Sequence, residues 1–214
     1  MKYIKLKRIG IILFCFTALM GCSEDESLTP NESFTGGTSQ EQDFGRFTGD
    51  IDGAAFEQIS TLTNNTIPSA GVSEETDATV SPFISKKDYN FSLENTTSNE
   101  TGGISIGTVT YSGSQLPPKE DFNAVFSEGN KTYARNFNNG VSVFVNMGGV
   151  TWSSSNGTAD QTGSTFTITN ATPNVVFGAD VVEVTATFSC TLYDDSGDSK
   201  KITNGTFKGT FESF

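Results

Sequence analysis

The chain of 214 residues contains no histidine. That removes the side chain most often used as a general base and as a metal ligand near neutral pH. Cysteine is nearly as scarce, with Cys15, Cys22 and Cys190 the whole set. Basic residues are few: 13 Lys and Arg stand against 25 Asp and Glu, for a net charge of −12. Nucleic-acid binding needs a basic footprint, so a nucleic-acid partner is excluded. There is one tryptophan, Trp152. Helical periodicity is almost missing, and only one long hydrophobic run occurs.

That run is Ile9 to Met20, twelve residues preceded by Lys2, Lys5, Lys7 and Arg8. A cationic start, a short apolar segment and a small residue before a cut are the layout of a secretory signal. As a helix the run spans roughly 18 Å, well short of the about 30 Å of a hydrocarbon core, which disfavours a permanent transmembrane helix. Leu19-Met20-Gly21-Cys22 resembles the lipobox of bacterial lipoproteins. The resemblance implies that residues 1–21 are a signal peptide and that Cys22 carries a diacylglycerol thioether as the mature N-terminus. Two or more acyl chains anchor a protein stably, where one does not. The expected partner is therefore a membrane, reached through the lipid.

Without residues 1–21 the chain keeps nine Lys and Arg and all 25 Asp and Glu, a net charge of −16. Such a domain is repelled by anionic lipid and stays solvated on its tether. Cys15 leaves with the signal and Cys22 is the lipid site, so Cys190 has no disulfide partner and stability must come from packing. Residues 22–43 are acidic and rich in Gly, Ser and Thr, a composition that reads as a flexible tether. Residues 44–214 read as one domain.

Within that domain the strand signal recurs. Phe44–Ile51 and Ala54–Ile59 flank Asp52-Gly53, a two-residue hairpin signal. Ala78–Ile84 reads as an edge strand interrupted by Pro82. Alternation returns at Tyr89–Leu93, Ile104–Tyr111, Val141–Met147 and Phe166–Ile168. It is clearest over Val181–Tyr193, where Val182, Val184, Ala186, Phe188, Cys190 and Leu192 share one face and polar residues the other. Lys201–Phe211 returns from it, with Ile202 out of phase with Phe207 and Phe211, which predicts a bulge at Asn204-Gly205. One short helix is expected near 118–128, with Pro118 at its first position and Gly129 past its end. The fold class is all-β: an antiparallel β-sandwich or open β-barrel, with a lipocalin-like barrel as the alternative.

Leu19-Met20-Gly21-Cys22, the run Ser23-Glu24-Asp25-Glu26 directly after it, the opening hairpin around Ile51-Asp52-Gly53 and the closing hairpin from Val184 to Phe207 together resemble small cell-surface lipoproteins of Bacteroidota. The resemblance implies an all-β fold, an outer-membrane location facing the cell exterior, and Ser23, Glu24, Asp25 and Glu26 as an export signal. It implies no reaction.

The candidate sites are few. Asp194, Asp195 and Asp198 are the one metal constellation, a weak Ca²⁺ site. The EF-hand pattern fails there, because position 6 is Ser199 and position 12 is Gly205; otherwise the segment reads as a solvated hairpin tip. Trp152 is the candidate ligand-binding residue, with Tyr89, Tyr111 and Tyr133 as companions, since exposed aromatics stack on sugars or anchor partners. Glu57, Glu94 and Glu183 lie on or beside strands, but nothing pairs them as glycoside hydrolysis requires. Cys190 reads as a small core residue, because no His is present to activate it. No cofactor is expected beyond the weak Ca²⁺ and no catalytic residue stands out. The reading is a non-catalytic binding or surface-interaction module with a glycan or protein partner. The alternatives are a surface hydrolase acting on glycans and a structural coat or appendage component.

Overall fold

In the computed structural model the described residues are 43–113, 116–135 and 137–214, and the compact unit that holds them runs Gln42–Phe214. Cys22, Ser23, Glu24, Asp25 and Glu26 lie outside the described residues.

Among the described residues eleven strands and one short helix follow in the order β1 (Gly45–Ile51), β2 (Ala54–Ser60), β3 (Thr66–Asp77), β4 (Ile84–Asn95), β5 (Glu100–Ser112), α1 (Lys119–Val125), β6 (Gly129–Asn130), β7 (Gly140–Met147), β8 (Val150–Ser153), β9 (Thr165–Val176), β10 (Ala179–Tyr193) and β11 (Ser199–Glu212). They form one antiparallel sheet curled into a half-barrel, as the all-β reading expects. Its order is β2-β1-β11-β10-β8-β7-β5-β4-β3, with β9 paired to β10 and β6 to β9.

Sequence explains the pairings locally. Asp52 and Gly53 take φ of 50° and 83°, the left-handed pair that a tight hairpin needs and that Asp-Gly tolerates. The register of β10 on β11 slips between Phe188 and Cys190, opposite Gly205 and Ile202. Asn204 is the extra residue, at φ 54°. This is the expected bulge, and it returns Ile202 to the buried face.

The two halves of the sheet face each other across an aromatic core. β11 presents Phe207 and Phe211 to Phe91 of β4, with ring centroids 5.7 and 6.2 Å apart. Phe188 of β10 lies 5.3 Å from Phe47 of β1 and 5.9 Å from Phe166 of β9. Val182, Val184, Ala186, Phe188, Cys190 and Leu192 are all buried, as their alternation predicts. α1 caps this core with Phe122 and Phe126, and Phe126 stacks 4.8 Å from Phe211.

Two expectations are corrected. Ala78–Phe83 forms no strand and only connects β3 to β4. The edge strand is β3, twelve residues of mostly exposed polar sequence, Thr66–Asp77. Its partner β4 imposes the extended conformation, and Pro68 is tolerated because the outer side of an edge strand donates to nothing. Pro118 is the N-cap of α1, not its first residue. A residue before a proline is pushed out of the helical region, but Pro118 itself adopts the extended ψ of 140° that starts the helix at Lys119.

Candidate functional site

The residues singled out from sequence do not meet at one place. Glu57, Glu94 and Glu183 stand exposed on β2, β4 and β10; Glu183 faces Lys208 at 3.7 Å. Asp194 Oδ1 accepts hydrogen bonds from the backbone N–H of Ser196 (3.0 Å) and Asp198 (2.8 Å). That is the bonding of a polar turn. Asp195 Oδ1 accepts instead from Asn156 Nδ2 at 3.2 Å. Among the described residues no group of three or more His, Cys, Asp or Glu is arranged to hold a metal ion.

Trp152 sits on β8 against the edge of the core. The Lys200 ammonium lies 4.9 Å over its ring and is held there by Asp52 at 3.2 Å, so one ring face is already occupied by a cation. Of its expected companions, Tyr89 and Tyr111 are buried, and Tyr133 is half-buried, its hydroxyl donating to the carbonyls of Thr165 and Ser189, both at 3.1 Å. Cys190 is 1% exposed, and burial pushes its thiol up to about 12, against a smaller opposing effect of Tyr133. Such a thiol is inert.

The structure instead gathers polar groups around Lys87 and Asp88 of β4. Strand alternation sends them to opposite faces, yet both are buried, at 6% and 3% exposure. On the concave face β4 pairs with β3 and β5 so that Glu74, Lys87 and Val109 form one row. Thr76, Ser85 and Tyr111 form the next outward row, and Val72, Tyr89 and Ile106 the next inward. The Tyr111 hydroxyl donates to Glu74 Oε1 at 3.3 Å. The Thr76 and Ser85 hydroxyls share a 3.1 Å hydrogen bond, and Ser85 Oγ donates to the Gly113 carbonyl at 2.9 Å. The Lys87 ammonium lies 5.7 Å from the centre of the Tyr111 ring.

One donor of this face is left over. The Tyr89 hydroxyl is fully buried without a hydrogen-bond partner, its ring fixed 5.1 Å from Phe122 and 5.7 Å from Phe126. An orphaned buried polar group costs about 1–3 kcal/mol, so the Tyr89 hydroxyl is a cost that the fold carries. Burial lowers the pKa of Lys87, with Glu74 opposing. Burial also raises Tyr111 to about 12, reinforced by Glu74, and raises Tyr89 further still.

On the convex face Asp88 Oδ1 accepts from Thr108 Oγ1 at 2.6 Å, and Oδ2 accepts from the backbone N–H of Phe137. The β4–β5 register slips here, with Thr108 as the extra residue; a bulge of this kind re-aims a side chain. Gly107 allows the carboxylate to lie flat on the backbone, since a Cβ there would stand 2.0 Å from Asp88 Oδ1. Burial raises the pKa of Asp88, against the hydrogen bonds from Thr108 and Phe137. Beside it a cavity of about 10 Å³ is lined by Asp88, Ser105, Arg135, Asn138 and Ser142 among others, room for about one water.

Lys87 is the residue that sequence reasoning missed, and the signal was present: it falls in the phase of Tyr89, Phe91 and Leu93, where a charge needs a reason. Chemically the concave cluster holds one buried spare donor in the Tyr89 hydroxyl, and a second hydroxyl in Tyr111 that already donates to the Glu74 carboxylate. No protein-family model, curated protein or solved structure matches the chain.

Proposed function

We propose that this protein is an outer-membrane lipoprotein displayed on the cell surface, whose β domain binds a ligand or partner without catalysing a reaction. The observation that carries the reading is Leu19-Met20-Gly21-Cys22 with Ser23-Glu24-Asp25-Glu26 directly behind it. The first sequence supplies a lipid anchor at Cys22, the second an address. The non-catalytic half is supported by the chemistry of the domain. Its candidate carboxylates Glu57, Glu94 and Glu183 stand on separate strands, whereas general acid–base work needs two groups on one substrate.

The test has two arms. Cells fed an alkyne fatty acid are expected to label the wild-type protein and not the Cys22→Ala variant; label persisting in the variant overturns the anchor. The full lipidated protein in nanodiscs is then screened on a glycan array and used to capture partners from native outer membrane. Saturable binding in either supports a binding module. Turnover of an array glycan, read as released sugar, overturns the non-catalytic reading.

A further inference from the structure

The two ends of β10 differ in chemistry. One end leads into β11 through Asp194, Asp195 and Asp198; the other is joined to β9 through Val175, Val176, Phe177 and Gly178. From Gln161 to Ala179 the chain carries no charged residue. Val175, Val176 and Phe177 are 53%, 38% and 86% exposed. Phe177 and Gly178 take φ of 50° and 83°, the left-handed pair of a tight hairpin, where Asn or Asp costs less than an aromatic. Neither turn geometry nor solvation favours a phenylalanine there. The turn also lies at the end of the sheet where the chain enters the domain. Arg46 of β1 stands opposite Lys208 of β11, and Lys208 Nζ donates to the Asp43 carbonyl at 3.3 Å. β11 closes with Glu212 opposite Val181 of β10, and the β9–β10 hairpin runs on past it to Val176 and Ala179. The turn projects beyond Val181 by about three residues, roughly 10 Å at the rise of a strand. At its base Asp180 is paired with Lys119.

We propose that Val175, Val176 and Phe177 dip into the headgroup region of the bilayer that holds the Cys22 lipid, an inference that rests on the lipoprotein reading above. The occupant follows from where the chain outside the described residues joins the domain. Residues 22–42 lead from the proposed anchor to Asp43, at the end of the sheet that carries the apolar turn. The acidic turn of Asp194, Asp195 and Asp198 closes the opposite end of β10. A tip without charge enters an interface without desolvating an ion, and its apolar area supplies the driving force. The acidic excess of the chain repels anionic lipid, so neutral headgroups are the matching surface. The body of the domain stays in water, because the charges of Asp180, Lys119 and Glu212 begin directly behind the turn.

The test uses the full lipidated chain in phosphatidylcholine nanodiscs, with the mass of the purified protein reporting acylation of Cys22. Trp152→Phe removes the one tryptophan. Val175→Trp then places a probe beside the apolar turn, and Ser196→Trp, made separately, places a control at the acidic turn. Phosphatidylcholine brominated near the top of its acyl chains is expected to quench the probe at position 175 and to leave the control at full intensity. Phe177→Asn suits the left-handed backbone and removes the ring. It is expected to unfold at the same urea concentration as wild type or a higher one, which separates lost insertion from lost folding. The inserted-to-free ratio read by quenching is expected to fall about tenfold with it, the lower end of what burying one aromatic ring contributes. No quenching at position 175, equal quenching of both probes, or quenching unchanged by Phe177→Asn overturns the proposal. Capture of an outer-membrane protein that depends on Phe177, with no quenching at position 175, also overturns it and makes the turn a protein contact. A purified chain without acyl mass removes the anchor instead. The turn is then judged with the same chain and phosphatidylcholine vesicles: co-sedimentation lost in Phe177→Asn supports insertion, and no co-sedimentation overturns it.

Discussion

Lys87 and Asp88 are neighbours that carry opposite charges into opposite faces of one strand, and each is held by a different device. Asp88 is held by Thr108 and the Phe137 N–H, and burial still raises its pKa above the ordinary 3.8. The native state thus holds the Asp88 proton more tightly than the unfolded chain does. Its contribution to stability is complete below the unfolded pKa and is lost as pH rises through the raised folded value. Asp52 and Asp77 are shifted the other way, so a raw stability profile mixes both signs; the difference between wild type and Asp88→Asn cancels them. That difference, from urea unfolding between pH 3.5 and 8, is expected to move against wild type as pH rises above about 4 and then to level off. A flat trend would mean that Asp88 is solvated, and an opposite one that its hydrogen bonds outweigh burial. None of this was legible in the sequence. Asp88 falls on the solvent phase of β4, and its burial depends on the Thr108 bulge and on the loop that brings Phe137 over it from 49 residues away.

Strands with strict alternation were readable one by one. β10 declares itself because six apolar residues in phase leave no other use for that face, and the β10–β11 bulge follows from the phase of Ile202 alone. β3 was unreadable for the converse reason: Thr66–Asp77 buries little, so its conformation is dictated by the twelve residues of β4 that pair with it. Helix α1 lies between these cases. Seven residues are too few to be stable as an isolated helix, so α1 persists through its contacts. Phe122 and Phe126 bury completely and meet each other at 5.2 Å. Phe126 also meets Phe211 of β11 at 4.8 Å and Tyr89 of β4 at 5.7 Å, joining both halves of the sheet. Phe126→Ala is expected to cost about 3–5 kcal/mol, the range for an aromatic truncated in a core, measured by urea unfolding. A loss under about 1 kcal/mol, the scale of a surface change, would show that the helix merely rests on the sheet.

At the scale of the molecule, first and last strands meet: β1 pairs with β11, next to each other behind the β2 edge of the sheet. If residues 22–43 are the proposed tether, their properties decide where the domain works. Glu24, Asp25 and Glu26 stand within four residues of the proposed lipid anchor. Clustered negative charge beside anionic headgroups is mildly unfavourable. A cost kept at such a position is accounted for if the run is read as an export address, which is also what the resemblance to surface lipoproteins implies. The rival account is that it only solvates the tether. The two separate when Glu24, Asp25 and Glu26 are all replaced by Ala. As an address, the run is dispensable for lipidation, and the variant should still take the fatty-acid label while staying on the periplasmic side. Protease added to intact cells is then expected to digest the wild-type domain and spare the variant, with both digested once the outer membrane is opened. Equal resistance of the two in intact cells would remove the surface assignment, and equal digestion would leave the domain at the surface with the acidic run reduced to tether solvation.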